Sequence, residues 1–565
     1  MSKETGALAQ IQRQIQWNRL IAVVEEQAQT MIRTAFSTTV REAGDLSAGV
    51  FDLQGRMLAQ AVTGTPGHVN TMAAAVGHFM AYFPVASMTP GDVFVTNDPW
   101  LGTGHLWDIN VMRPVFRKGR LVAFTLSVTH LPDIGGGGYA STGTEIYAEG
   151  LRLPIRKLMR RGAMDEELME LILANVRLPE MVRGDILANI ACNEVGGRLI
   201  AEFMDEQGLD DLGPLSRAII GRTEAAMRKR IAAIPDGTYR NRVPVEGIEA
   251  PIGLQCAVTI RGSDVTIDFE GTTPALPRAI NVPLCYTRAF CNYAIKVLTI
   301  PELPNNEGAA NPIRLSAPPG CILNAQHPSP TAGRHVIGHF VAPLIFGALA
   351  PVLPDQVQAE SGMLSQLAVR GETREGRGVS SLFFAAGGFG ALRGTDGRDA
   401  TPGPSNMIGS PVEIWEDVTG MTVLHKRLIP DSGGAGAWRG GNGQEISLRN
   451  DTGKPMDAAV FSSRTEFAAQ GLDGGKAGAL RETLINGKPV HAKGRYTLAP
   501  GDVVTTREAG GGGYGDPARR SPEQVLRDVQ AGRVTVEGAR RDFGVVVDLV
   551  ANTARRVAPR EGEVA

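Results

Sequence analysis

The stretch from His105 to Asp133 constrains this chain more than any other. It opens with His105-Leu-Trp-Asp108 and closes with His130-Leu-Pro-Asp133, two copies of His-x-x-Asp. Between them, Ile109–Phe116 and Leu121–Thr129 read as β-strands joined by the turn Arg117-Lys118-Gly119-Arg120. Folding this hairpin about Lys118-Gly119 sets Asp108 opposite residue 129 or 130, and a slip of one residue changes the face. In either register His105, Asp108 and His130 gather at one open end. Any fold for this chain must accommodate imidazoles and a carboxylate there, and only nine histidines occur in 565 residues.

Imidazole and carboxylate together are ligands for Zn²⁺, Mn²⁺ or Fe²⁺, and two histidines with one acid leave positions open for substrate or water. His105, Asp108 and His130 are therefore candidate ligands of one divalent ion. Asp133 is either a fourth ligand or a group that orients a histidine. The competing reading makes all of these hydrogen-bonding residues beside glycine-rich turns. Glu42 and Asp45, between the first helix and the first strand, either cap a turn or add a carboxylate to the centre. His68, just before a helix, either faces the same site or lies at the surface near the helix start.

The surrounding pattern predicts a mixed α and β, multidomain chain. Residues 16–36 carry Leu20, Val23, Val24, Ala28, Met31 and Ile32 at helical spacing. Ser47–Asp52 and Val93–Thr96 read as strands, and Thr71–Phe83 as a helix. Residues 163–233 read as three helices, Asp165–Asn175, Pro179–Glu206 and Pro214–Ile234, ended by the turn Pro235-Asp236-Gly237. Strands Cys256–Ile260 and Val265–Phe269 follow, then helices Tyr286–Leu298 and His335–Ala350. These divide the chain into a metal-site domain (1–235), a central α/β domain (236–378), a glycine-rich β domain (379–520) and a helical tail (521–565).

Glycine is the compositional anomaly, at 69 residues, clustered at Gly135–Gly138, Gly433–Gly443 and Gly510–Gly515 without a period. That argues for close backbone approaches rather than collagen or a linker. Gly510-x-Gly-x-x-Gly515 matches a dinucleotide fingerprint only formally, because Asp516-Pro517 follows at once and no βαβ unit surrounds it. Residues 471–476 lack the glycine spacing and the Ser or Thr of a phosphate loop. No nucleotide site belongs to this chain on that reading. With a formal charge of −2, neither sign dominates, and nothing in the composition suggests a nucleic-acid or membrane surface. Polar residues 1–16, the absence of a long apolar run and five cysteines without CxxC spacing point to a cytoplasmic protein. Without a G-x-S-x-G elbow or a Cys with a His partner, a nucleophilic hydrolase is disfavoured.

The segment Asn97-Asp98-Pro99-Trp100-Leu101-Gly102-Thr103-Gly104-His105-Leu106-Trp107-Asp108 resembles the signature of the hydantoinase B/oxoprolinase family. Thr129–Gly136, Ile280–Pro283, Pro304–Gly308, Ala332-Gly333-Arg334-His335 and Gly510–Pro517 extend the resemblance along the chain. A departure is Glu42-Ala43-Gly44-Asp45-Leu46-Ser47, where many relatives carry bulkier residues. The resemblance implies a metal at His105, Asp108 and His130; beside it, the residues themselves offer Asp133, His68 and Glu42 as catalytic candidates, Asp133 as an orienting group or general base. It implies the metal-binding subunit of an ATP-dependent amidohydrolase for cyclic amides such as hydantoin, N-methylhydantoin, oxoproline or a lactam. ATP and Mg²⁺ would sit on a separate hydantoinase A-like subunit, in a hetero-oligomer such as a dimer of heterodimers. The same scaffold would serve a bicarbonate-using ketone carboxylase with a small third subunit, or a non-catalytic subunit that only positions its partner.

Overall fold

The computed structural model describes residues 2–62 and 64–557. Its first 164 residues build a seven-stranded sheet from β1 (Leu46–Phe51), β2 (Met57–Gln60), β3 (Val93–Thr96), β4 (Asp108–Arg117), β5 (Arg120–His130), β6 (Arg156–Arg160) and β7 (Ala163–Met164). The order is β2-β1-β5-β4-β3-β6-β7, so the expected hairpin lies at the centre. Its register pairs Asp108 with His130, with a bulge between Val115 and Phe116.

Alternation along β5 explains how this sheet is covered on both faces. Phe124, Leu126 and Val128 pack with Met72, Val76 and Phe79 of the helix Met72–Tyr82. Ala123 faces the other way, into the cluster of Trp17, Leu20 and Phe203. The polar residues on that same side are satisfied by the helix Pro179–Glu206: Ser127 donates to Asn189, Asn189 donates to Thr129, and Asn193 donates to Ser127 and to Val111 O. A buried polar seam of this kind specifies how the helix seats, because every member would be orphaned by a slip. The first helix runs Ser2–Thr34, so it begins well before the apolar periodicity at residue 16 and ends two residues short of the expected limit.

A second sheet begins at Gly237 with β8 (Gly237–Val245), β9 (Ile252–Arg261), β10 (Asp264–Asp268) and β11 (Ile313–Ser316), ordered β11-β10-β9-β8. The helices Leu284–Thr299 and Val341–Leu349 share its core. The single helix expected over His335–Ala350 is instead two, His335–Gly338 and Val341–Leu349. The interruption lies at His339 and Phe340, both with backbone angles still in the helical region.

The division expected at residue 378 is corrected by the pairing. Leu364–Glu372 and Gly378–Ala386 form one antiparallel hairpin over their whole length, and a cut there would strip nine residues of their ladder. The C-terminal third carries two sheets, of four and five strands. It also carries a bundle of extended glycine segments that form no ladder. Gly434 donates to Gly511 O, Gly511 to Gly441 O, Gly441 to Phe389 O and Gly513 to Lys476 O, at 2.8–3.0 Å. A Cβ on Gly440, Gly441, Gly510, Gly511, Gly512 or Gly513 would run into a neighbouring carbonyl. The tail holds helices Pro522–Gln530 and Val536–Phe543 and then a hairpin, Val545–Asp548 with Thr553–Arg556, so it is not purely helical. No helix among the described residues is long and apolar enough to cross a membrane.

Candidate metal centre

The open end of the central hairpin is buried. Asp108 begins β4, His130 ends β5, and His105 sits in the preceding loop, each at most 3% exposed. Their ligating atoms lie within 4.8 Å of one another. His105 Nε2 is 2.8 Å from Asp108 Oδ1, and His130 Nδ1 is 3.3 Å from the same oxygen.

The chain orients each group through the atom that faces away from the centre. His105 Nδ1 lies 2.9 Å from Ala332 O, a carbonyl that can only accept, so the proton sits on Nδ1 and Nε2 presents a lone pair. Burial, then the Arg334 guanidinium, pushes His105 down to about 3, which keeps the ring neutral. Asp108 Oδ2 accepts from Thr103 Oγ1 at 2.8 Å and from Arg334 at 2.5 Å, and lies 2.9 Å from His68 Nε2. Burial alone would raise Asp108, but His68 and the Arg334 guanidinium hold it well below the usual carboxylate range. Its other oxygen, Oδ1, has no hydrogen-bond partner, and neither has His105 Nε2. Two bare acceptors 2.8 Å apart in a buried site repel, unless a cation lies against both. The donor set therefore fits a divalent ion of the borderline N,O-binding type.

Further groups complete the cavity. Its lining includes Asp45, His68, Tyr139, Tyr286, Arg334, His335, His339 and Gln366. Asp45 stands 3.6 Å from His68 Nδ1 and 3.9 Å from His130 Nδ1. Burial raises Asp45 above the ordinary range despite both histidines, whereas Asp108 lifts His68 against its burial. On the opposite side Tyr139 OH is 3.4 Å from His335 Nδ1 and Tyr286 OH is 3.3 Å from His339 Nε2. Burial holds both of these imidazoles low, His339 at about 3. The cavity holds about 30 Å³ of free space, enough for an ion or a water but too little for an amide ring.

The structure thus brings His105, Asp108, His130 and His68 together, and leaves Asp133 and Glu42 outside. Asp133 turns back on its own loop. It accepts from Gly135 N at 3.0 Å, from Arg177 N, and from Arg177 Nη1 at 3.0 Å. Those bonds occupy both oxygens, so the group orients no histidine here. Glu42 lies on a surface groove beside Arg41. Gly44, at φ +71, reverses the chain between them, so Asp45 enters the site and Glu42 leaves it. Asp45 O accepts from His130 N, which extends the β1–β5 pairing by one residue and places the acid beside His130. His335 and His339 went unassigned from sequence; the signal available was their i, i+4 spacing beside Arg334. Gly510–Gly515 lies inside the glycine bundle, where neighbouring carbonyls leave no approach for a pyrophosphate.

The hydantoinase B/oxoprolinase family profile matches residues 9–517. Caprolactamase subunit beta of Pseudomonas jessenii is 30% identical over 548 residues, covering 93% of this chain and 94% of that protein. The 5-oxoprolinase 1 of Arabidopsis thaliana is 26% identical over 537 residues, covering 88% of this chain but 41% of that longer protein. The crystal structure of the ATP-dependent caprolactamase from Pseudomonas jessenii matches with a TM-score of 0.86 at 27% identity, over 96% of this chain and 97% of that chain. A nucleotide-free acetone carboxylase structure matches with a TM-score of 0.86 at 21% identity, over 96% of this chain and 81% of that chain, which is a likeness of fold.

Proposed function

Because the chain belongs to the hydantoinase B/oxoprolinase family, we propose that it is the metal-binding catalytic subunit of an ATP-dependent amidohydrolase that opens cyclic amides of the hydantoin, oxoproline or lactam type. The observation that carries this reading is the buried, partnerless pair of His105 Nε2 and Asp108 Oδ1. His105, Asp108 and His130 hold a divalent ion of the Zn, Mn or Fe type, with Asp45 and His68 beside them. Such an ion supplies a Lewis acid for a carbonyl oxygen and for water at neutral pH.

The chain's own residues do the rest. The Ala332 carbonyl holds the His105 tautomer, and Arg334 with Thr103 pins one oxygen of Asp108 so that the other points inward. Tyr139 and Tyr286 stay protonated, raised by burial, and present hydroxyl groups to a substrate carbonyl. Ser405 and Met407 help close the cavity, so a ring-sized substrate would require its wall to move aside. ATP use belongs to a separate hydantoinase A-like chain on this reading. In support, 5-oxoprolinase 1 carries the matched region as 41% of a longer chain, which leaves length there for another activity.

Co-purification with a hydantoinase A-like chain, followed by product analysis, tests the proposal. Ring-opened product that depends on ATP and vanishes in His105→Ala is expected. A carboxylated ketone formed only with bicarbonate would assign the carboxylase chemistry instead. Full activity in His105→Ala, with no divalent metal in the purified protein, would reduce the chain to a positioning subunit.

A further inference from the structure

A second cavity, of about 580 Å³, lies behind the wall of the metal centre. That volume is in the range of small-molecule sites. It opens between the helices Met72–Tyr82 and Leu284–Thr299, where Ala73 and Ala74 leave space on the first helix. The two cavities share their dividing wall. Asn70 and Thr71 line the larger one while His68 lines the metal centre, and Cys285 and Tyr286 face opposite sides in the same way. Gly67 makes this wall thin, because a Cβ there would overlap the Tyr286 ring.

The lining of the larger cavity is cationic and amide-rich. Arg56, Arg288 and Arg314 contribute guanidinium groups. Asp52 matches Arg56 at 2.7 Å, and Arg314, exposed at the rim near Glu224, donates among the described residues only to the backbone carbonyls of Asn311 and Ile313. Arg288 and Asn292, one helical turn apart on the same face, and His78 across from them make no side-chain hydrogen bond or ion pair among the described residues. The carboxylate in the wall, Glu307, is raised by burial and accepts from Met57 N at 3.4 Å. Trp100 adds a flat apolar surface, its indole N–H already donated to Ala325 O at 2.9 Å. The wall therefore offers two guanidinium groups without a carboxylate partner, free amide and imidazole edges, and one aromatic face. Guanidinium forks recognise planar or tetrahedral oxyanions.

We propose that this cavity binds a small organic or inorganic oxyanion, a carboxylate or a phosphate, through Arg288, Arg314 and Asn292. The source of such an anion rests on the function proposed above: hydrolysis of a cyclic amide yields an amino acid carboxylate, and ATP cleavage yields phosphate. The site holds the product anion one wall away from the metal centre.

Calorimetric titration of the full chain with inorganic phosphate and, separately, with 6-aminohexanoate tests this. At least one probe binds saturably, and the one that binds identifies the source. Arg288→Ala weakens that binding about tenfold or more, the loss of a charged hydrogen bond. Asn292→Ala weakens it less. His105→Ala, on the far side of the wall, leaves it unchanged. The proposal is overturned if neither probe binds saturably, if Arg288→Ala and Asn292→Ala both bind like the unmodified chain, or if His105→Ala abolishes binding. Failure of the amidohydrolase reading looks different: binding here persists while no ATP-dependent ring opening occurs.

Discussion

Glu149 is buried with no ion-pair partner among the described residues, and replacing it with glutamine should change how stability depends on pH. Its Oε1 accepts from Thr331 N at 2.6 Å and Ala332 N at 3.0 Å, while Oε2 has no partner. Burial pushes its pKa from 4.5 up to about 8, against the pull of those two N–H groups. In the unfolded chain the acid loses its proton near 4.5; in the folded chain it keeps it to about 8. Between those values the folded state binds more protons, so stability falls as pH rises. The slope is about 1.4 kcal/mol per pH unit, and the full window amounts to about 5 kcal/mol as an upper bound. Above that window the loss is complete and the curve is flat. Glutamine keeps an acceptor for Thr331 and Ala332 without a titrating proton. Glu149→Gln should therefore match the unmodified protein at pH 5 and exceed it by several kcal/mol at pH 9. Thermal midpoints by scanning calorimetry across that range measure the difference. Parallel curves for the two proteins would refute the reasoning, because they would mean that Glu149 titrates alike in both states. The segment it holds also carries Ala332 O, the acceptor for His105, so the alkaline loss should reach metal affinity as well.

Other outcomes follow from the same geometry. Arg334→Lys keeps a charge but loses the paired bonds to Thr103 O and Asp108 Oδ2, and metal affinity measured by competition with a chromophoric chelator should fall about 10–100-fold. Chelation of the unmodified protein should lower its thermal midpoint, since an ion at about 1,000 times its Kd contributes about 4 kcal/mol, whereas His105→Ala should show no such shift. Gly511→Ala should destabilise by about 1–3 kcal/mol or more, because a Cβ there meets the carbonyls of Phe389 and Gly388. Gly77→Ala, in a helix with nothing near its Cβ, should stabilise by up to about 1 kcal/mol, and urea titration of both glycine variants measures the two changes.

The central hairpin was legible from sequence because strand period and turn chemistry are local. Asp108 and His130 could be placed at one end before any coordinates, and the remaining one-residue doubt was settled by a bulge at Val115–Phe116 that no local pattern announces. Asp45 and Glu42 were indistinguishable as acids three residues apart; the positive φ of Gly44 decides between them. Asp133 looked like the partner of His130 by symmetry with Asp108. Its fate depends on Arg177, 44 residues on, which no short motif contains. His335 and His339 come from some 200 residues beyond the hairpin. Their apolar neighbours gave an unbroken helical period that hid the interruption at His339 and Phe340. The glycine clusters signalled close backbone contact, and the contacts themselves are between segments too distant for any pattern to pair.

The glycine bundle also bears on the order in which the chain can fold as it is made. Its members come from near residues 388–397, 433–443, 471–478 and 510–515, and most of their hydrogen bonds join one segment to another. A chain emerging from the ribosome can close the hairpin at residues 108–130 and dock its helices early, since those contacts are short in sequence. The bundle is incomplete without its last member: Gly441 can reach Phe389 O early, but until residues 509–513 emerge Gly388, Ala391 and Gly434 lack the carbonyls they donate to. Interruption of synthesis a few residues before that point should leave a folded front half attached to an open, aggregation-prone remainder.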